Sequence, residues 1–354
     1  MRSDIDMAMS FTRRDFVYSL SGLIAACTVS AAQAQAPDEL IFAPTRDDGL
    51  GEAIKKALSS GKRRVRLLDG DYGPQTIQGI AAENFEIVGS GKSVVNMTMI
   101  TASAGISFRK VIFQGEKSDL GSGMGLVYVN RDASHTRFSK CTFRTTEDTS
   151  SWQPRDWVEL PYNSGLLARG KNVVVADCDF TNLRNCLTFL DCDDSSAENC
   201  RFQDFGNDGV EFGGSNIRIV GNTIRGSHHT DAENQHSDGI QGFPAPNKRI
   251  YENIEITGNL IEYVGPGDYM QGISIFDGRW KDVRVSDNTI EVNMWNAIAL
   301  YGIDGVTVER NTVRSKDNKR PSWIEVRASK DGRNSSNIVA RDNHAPTLRI
   351  PTPR

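Results

Sequence analysis

Between residues 138 and 313 one short pattern recurs: an apolar residue, two variable residues, Cys or Asn, one variable residue and a second apolar residue. Its fourth place is filled by Cys141, Cys178, Cys200, Asn222, Asn259, Asn288 and Asn311, and its last by Phe143, Phe180, Phe202, Ile224, Ile261, Ile290 and Val313. The last places are spaced 37, 22, 22, 37, 29 and 23 residues apart, which describes a coil of about 22 residues with insertions in some turns. Between copies lies a second short run, a small residue followed by alternating apolar positions, opening at Gly165, Gly209, Gly239, Gly272 and Ala297. Strands this short, joined by turns with no helical pattern between them, cannot bury an apolar face alone and must stack coil on coil. The spacing therefore predicts a parallel β-helix, with the asparagines stacked at one turn. Leucine-rich repeats share the period, but their leucine consensus and helical leg are missing.

A solenoid can use all of a 354-residue chain as one unit, where a globular reading would propose two domains. The 41 basic and 45 acidic residues leave a formal net charge of −4, which argues against a protein that coats nucleic acid. Thirty-two Gly, 12 Pro and 38% hydrophobic residues describe a folded, turn-rich chain, neither disordered nor multispanning. At the start, Arg13 and Arg14 precede an apolar run over residues 17–29 and the small residues Ala31, Ala32 and Ala34. These are the parts of a twin-arginine export signal over residues 1–36, cut after Ala34, with an apolar run too short to span a bilayer. The mature β-helix, residues 37–354, is then expected in the periplasm or secreted. A lipid on Cys27 is the alternative fate of the same segment. A helix is expected over residues 47–60, with Leu50, Ile54, Ala57 and Leu58 on one face and Asp47 and Asp48 at its start, where it would cap the first coil.

The cap helix, the strand and turn at 65–72, the Asn-centred coils and the strand from His236 through Ser237, Asp238, Gly239 and Ile240 to Gln241 together resemble the pectin-lyase-like right-handed β-helix superfamily. The resemblance covers residues 40–345 and implies a right-handed all-β solenoid. It does not fix a reaction, because the superfamily holds polysaccharide lyases, polygalacturonase-type hydrolases, C5-epimerases and non-enzymatic adhesins.

Aligned on the second run, Asp208 and Asp238 each stand before a glycine, with Asn185 one coil earlier and Gln271 and Asn296 on later coils. Coils about 4.8 Å apart would let the two carboxylates perturb each other's protonation. Period-two alternation points Glu211 and Gln241 outward, and His236 brings an imidazole to the same corner. The bland alternative is that an Asp before Gly only bonds backbone amides between coils. Insertions at 144–163, 226–236 and 262–270 leave one turn and should form a wall beside a groove. They carry Trp152, Trp157, Tyr162 and Tyr269, candidates for stacking on sugar rings. No zinc spacing and no phosphate-binding glycine loop occurs, so no cofactor is required, although Asp191, Asp193 and Asp194 could hold calcium. Cys178 and Cys200, on adjacent coils, could oxidise in an oxidising compartment.

The expected function is cleavage of an acidic polysaccharide by β-elimination. It would use His236 as base, Asp208 or Glu211 as acid, Arg225 to neutralise the uronate carboxylate, and Gln241 and Gln271 in the groove. Hydrolysis by Asp208, Asp238 and Glu211 is the alternative. The resemblance implies for it a strand of Asn-Thr-Asp-Gly-x-Asp type, matched in part at residues 207–211 and 237–241. A third reading is glycan binding or surface assembly without catalysis.

Overall fold

The computed structural model describes residues 38–44, 49–115, 124–160, 164–228, 236–244, 249–265, 267–316 and 320–351; the expected export segment 1–36 lies outside them. Among the described residues the strands form three parallel sheets. Sheet A has twelve strands, from Glu39–Phe42 to Ser336–Arg341. Sheet B has ten, from Gly70–Asp71 to Thr312–Ser315, and sheet C has eleven, from Gln75–Gln78 to Thr347–Arg349. Each coil runs A to B to C, and every strand pairs with its counterpart one coil on. This is the all-β parallel solenoid that the repeat predicts.

The recurring pattern is the A–B corner. The residue before each Cys or Asn has a left-handed backbone: φ is 53° at Lys140, 54° at Asp177, 53° at Asn199, 68° at Gly221, 67° at Gly258, 58° at Asp287 and 53° at Arg310. Asn, Asp and Gly enter that region at least cost, which explains their prevalence there. One left-handed residue per coil turns the chain from sheet A into sheet B and aims the next side chain inward.

There the asparagines form a buried ladder. Asn259 Oδ1 accepts from both the backbone N and the Nδ2 of Asn222, each at 3.0 Å. Asn259 Nδ2 donates to the Ile219 carbonyl at 2.9 Å and to Asn288 Oδ1 at 3.0 Å. The same scheme repeats through Asn288 and Asn311, and Asn343 extends it by one rung beyond the seven sequence copies. At the other end Cys200 N donates to Asn222 Oδ1, and Cys141, Cys178 and Cys200 continue the column as buried free thiols. Burial holds the Cys178 thiol far above its usual range, and its Sγ donates to the Ala176 carbonyl; Cys178 and Cys200, which could oxidise, stand here as free thiols of the ladder. Beside this ladder, Phe113, Phe143, Phe180 and Phe202 stack along sheet B with centroids 4.3–5.0 Å apart and give way to Ile224, Ile261 and Ile290.

The cap helix is Leu50–Ser59, shorter than the expected 47–60; Asp47 and Asp48 lie outside the described residues. Leu50, Ala53, Ile54 and Ala57 are buried, whereas Leu58 is only partly so. The helix packs on strands Arg64–Leu67 and Gln75–Gln78, and Gln75 Oε1 accepts the otherwise orphaned N–H of Leu50 at 2.7 Å. The three expected insertions all leave the B–C corner, on the flank beside sheet C. No described helix is long and apolar enough to cross a membrane.

If the ladder holds the coils in register, Asn259→Ala orphans the buried N–H of Asn222 and the carbonyl of Ile219. The expected loss is on the order of 2–5 kcal/mol, read as a lower denaturation midpoint by circular dichroism.

Candidate active site

The register sets the two Asp-Gly segments in step. Glu211 pairs with Gln241, and Asp238 with Gln271, so Asp208 and Asp238 lie directly above one another on sheet C. The glycines that follow are required by space, not by turn geometry. A Cβ on Gly209 would stand 2.7 Å from Ile224 Cγ2, and one on Gly239 would stand 3.0 Å from Ile261 Cδ1. The chain therefore presses on the core at the glycine and turns the preceding aspartate to the outer face.

On that face three carboxyl groups gather. Asp208 Oδ1 accepts the backbone N–H of Asp238 at 2.8 Å, and Oδ2 accepts from Asn207 Nδ2 at 2.7 Å. Asn185 Oδ1 accepts the Asp208 N–H in the same way at 3.1 Å. Asp208 thus performs the structural bridging that an Asp before Gly permits, and at 2% exposure it offers no surface to a ligand. Its carboxyl is nevertheless pushed well above the usual range by burial and by the charges of Glu211 and Asp238, and it shares a side-chain hydrogen bond with Glu211. Half-buried Glu211 accepts from Thr188 Oγ1 at 2.8 Å and Asn185 Nδ2 at 3.1 Å; burial raises it too, against those bonds.

Asp238 is fully buried and pushed up to about 7, chiefly by burial, with Ser274 and His236 acting to lower it and Glu211 to raise it. Its Oδ1 accepts from Ser274 Oγ at 2.5 Å. Its Oδ2 has no hydrogen-bond partner among the described residues and lies 3.7 Å from His236 Nδ1. A buried carboxyl thus stands behind a half-exposed imidazole, close enough to act on it electrostatically but beyond hydrogen-bond length.

His236 opens onto a cleft of about 740 Å³ on the outer face of sheet C, with Tyr269, Gln271 and Asn296 beside it. Gln271, 2% exposed, has its Oε1 engaged by Asn296 Nδ2 at 2.7 Å and belongs to the buried column behind the cleft more than to its surface. Gln241 is half-buried between Glu211 and Ser274. The cleft continues onto the last coils, past Trp295 and Tyr301 to Trp323, Glu325, Arg327, Lys330 and Arg349. Sequence reasoning missed this half. The signal was present in Trp323-Ile324-Glu325-Val326-Arg327, whose alternation buries Ile324 and Val326 and turns the other three outward.

Other expected groups lie elsewhere. Arg225 projects from sheet B, where its guanidinium meets Gln203 Oε1 at 3.4 Å, so it does not stand with the sheet C residues expected beside it. Trp157 is buried and stacks on His228 at 3.7 Å, so it pins the insertion down and presents no sugar platform, while half-buried Trp152 packs against it edge-on at 4.6 Å. Tyr162 lies outside the described residues. Asp191 and Asp193 are bridged by Arg249 at 3.2 and 2.7 Å, and Asp194 accepts from Asn216, so an arginine supplies the positive charge expected from calcium. No three His, Cys, Asp or Glu side chains converge as metal ligands among the described residues.

Comparison with known proteins bears on the fold. A family model described as "Right handed beta helix region" matches residues 164–319. Among solved structures, PfbA, a surface adhesin of Streptococcus pneumoniae, superposes with a TM-score of 0.56 at 11% identity, covering 88% of this chain and 90% of its own. The A-module of the mannuronan C-5 epimerase AlgE6 of Azotobacter vinelandii gives 0.53 at 12% identity, covering 86% and 94%. A variant of the tailspike protein of E. coli bacteriophage HK620, in complex with a pentasaccharide, gives 0.51 at 14% identity, covering 88% of this chain and 61% of the tailspike. No curated protein sequence matches. The chain is a right-handed parallel β-helix.

Proposed function

We propose that this chain is an exported enzyme that binds an acidic polysaccharide along the sheet C cleft and cleaves it by β-elimination. The observation that carries the reading is the His236–Asp238 pair, set at the mouth of a cleft whose far half holds Arg327, Lys330 and Arg349. Two structures of the same fold give it compatible company, one described as a mannuronan C-5 epimerase and one as bound to a pentasaccharide.

Elimination removes the proton alpha to the uronate carboxyl and expels the glycosidic oxygen on the neighbouring carbon. In this reading His236 accepts the C5 proton, and ionised Asp238 behind it stabilises the imidazolium that results. Glu211 holds a proton beyond the usual carboxyl range and reaches the outer face one coil away, which suits it to protonate the departing oxygen. Hydrolysis is favoured by one observation, the raised pKa of three neighbouring carboxyls. Against it, both Asp208 oxygens are engaged and the group is enclosed.

Incubation of the mature protein with polygalacturonate, polymannuronate and polyguluronate separates the readings. Growth of the ultraviolet absorbance of an unsaturated uronate supports elimination. New reducing ends without that absorbance identify hydrolysis, and retention on the polymer with no product identifies a binding protein. His236→Ala is expected to lower kcat/KM about 10²–10⁴-fold with an unchanged circular dichroism spectrum. A fully active variant removes His236 from the mechanism.

The raised pKa of Asp238 sets a pH dependence. Below about 7 its carboxyl is neutral and gives the imidazolium no counter-charge; above it the carboxylate forms, so kcat/KM should rise with pH through that region. Asp238→Asn should lower the plateau about tenfold or more and erase the part of the rise owed to this group. A pH–rate profile of the two proteins checks both. Export is tested separately: the protein recovered outside the cytoplasm of an expressing bacterium should begin at Gln35, and replacing Arg13 and Arg14 by lysine should leave the precursor inside.

A further inference from the structure

The far end of the cleft contains an arrangement that the reaction at His236 does not require. Glu325, 8% exposed, accepts from the Tyr301 hydroxyl at 2.6 Å. It also stands 3.6 Å from Arg327 Nε and 3.7 Å from Arg349 Nη1, within ion-pair reach but beyond hydrogen-bond length. Arg327 lies over the Tyr301 ring at 4.1 Å, and Arg349 over the Trp323 ring at 3.8 Å. One enclosed carboxylate thus anchors two guanidinium groups, each laid against an aromatic face. A guanidinium held this way has one flat side covered while its in-plane N–H groups still point to the cleft. Two arginines against one glutamate leave an excess of positive charge. Lys330 adds little to it, since Asp277 stands 3.5 Å away.

A second observation at the same end points to a ligand. Asn296 Oδ1, an acceptor, and Trp323 Nε1, a donor, are buried without a hydrogen-bond partner among the described residues. Their residues are register partners on adjacent strands. Buried polar atoms are seldom left unpaired, and both residues line this end of the cleft.

We propose that Arg327 and Arg349, held by Glu325 over Tyr301 and Trp323, form a distal subsite that binds a carboxylate-bearing sugar several residues along the chain from the one undergoing reaction. The subsite rests on the reading of an acidic polysaccharide in this cleft and goes beyond it in selecting the substrate by length and charge. On sheet C the strand after His236 is three coil steps from the strand bearing Arg327 and four from the strand bearing Arg349, roughly 14 and 19 Å between strands. A disaccharide cannot reach from the imidazole to the arginines, whereas a longer oligouronate can. The enzyme should therefore act within long acidic chains.

The test uses His236→Ala, in which cleavage is switched off, and reads binding of polyuronate oligosaccharides by calorimetry and tryptophan fluorescence. Adding Arg349→Gln or Arg327→Gln, both with unchanged melting temperature, should weaken binding of long oligouronates about tenfold or more, and raised salt should weaken binding in His236→Ala itself. Disaccharides and a carboxyl-reduced polymer should bind weakly and be indifferent to either arginine. Unchanged affinity in both arginine variants, equal binding of the carboxyl-reduced polymer, or no binding of any polyuronate would overturn the proposal. If long oligouronates bind through the arginines but the wild-type protein yields no unsaturated product, elimination fails and the subsite stands. If elimination proceeds with full affinity in both arginine variants, the reverse holds.

Discussion

Coil-to-coil hydrogen bonding at the A–B corner governs this molecule. A strand of two to eight residues has too little surface to hold its own register, and a slip of one residue would turn its core face outward. The Asn222–Asn259–Asn288–Asn311–Asn343 ladder prevents this, because each amide satisfies the backbone N–H of the coil before it and a carbonyl inside the same turn. These groups are sealed from water, where a missing partner costs more than the bond contributes. Out-of-register stacking is therefore disfavoured at every rung.

The same stacking generates the chemistry of the outer face. Strand spacing places Asn185, Asp208, Asp238, Gln271 and Asn296 in one column, though they are dispersed over more than a hundred residues of sequence. Along it the role changes with surroundings. At Asp208 the carboxyl bridges to the next coil's N–H and is enclosed; at Asp238 one oxygen is left toward His236 at the cleft mouth. Identical placement in the repeat thus yields a structural group on one coil and a candidate functional one on the next. Insertions at the B–C corner reinforce the division. Trp157 and His228 lock a wall over the earlier coils, and the later coils, with shorter connections, leave the face open.

The solenoid, the cap helix and the step between the two Asp-Gly segments were legible in the sequence because they follow from periodicity, which survives insertions. The outward setting of Glu211 and Gln241 and the nearness of His236 to Asp238 followed from that register. Other expectations failed for reasons periodicity does not encode. Arg225 was placed by proximity to an insertion, but it belongs to sheet B and points to another flank. Trp157 was read as exposed because it lies in a loop, yet its indole buries more apolar surface by packing on His228 than it could in water. Asp191 and Asp193 looked like a cation site until Arg249, more than fifty residues on, supplied the charge.

Sequence alone determined the architecture, since a side chain's inward or outward sense and its coil-to-coil neighbours depend only on position within a repeat. It also determined the column of polar residues on sheet C. Tertiary structure decided which of those residues meet solvent and which other coils share their cleft. Exposure and electrostatic partnership depend on loops and on side chains from distant coils, as when Glu325 gathers Tyr301, Arg327 and Arg349 around it. No local pattern records those distances; they exist only once the coils are wound and the corners have closed over one another.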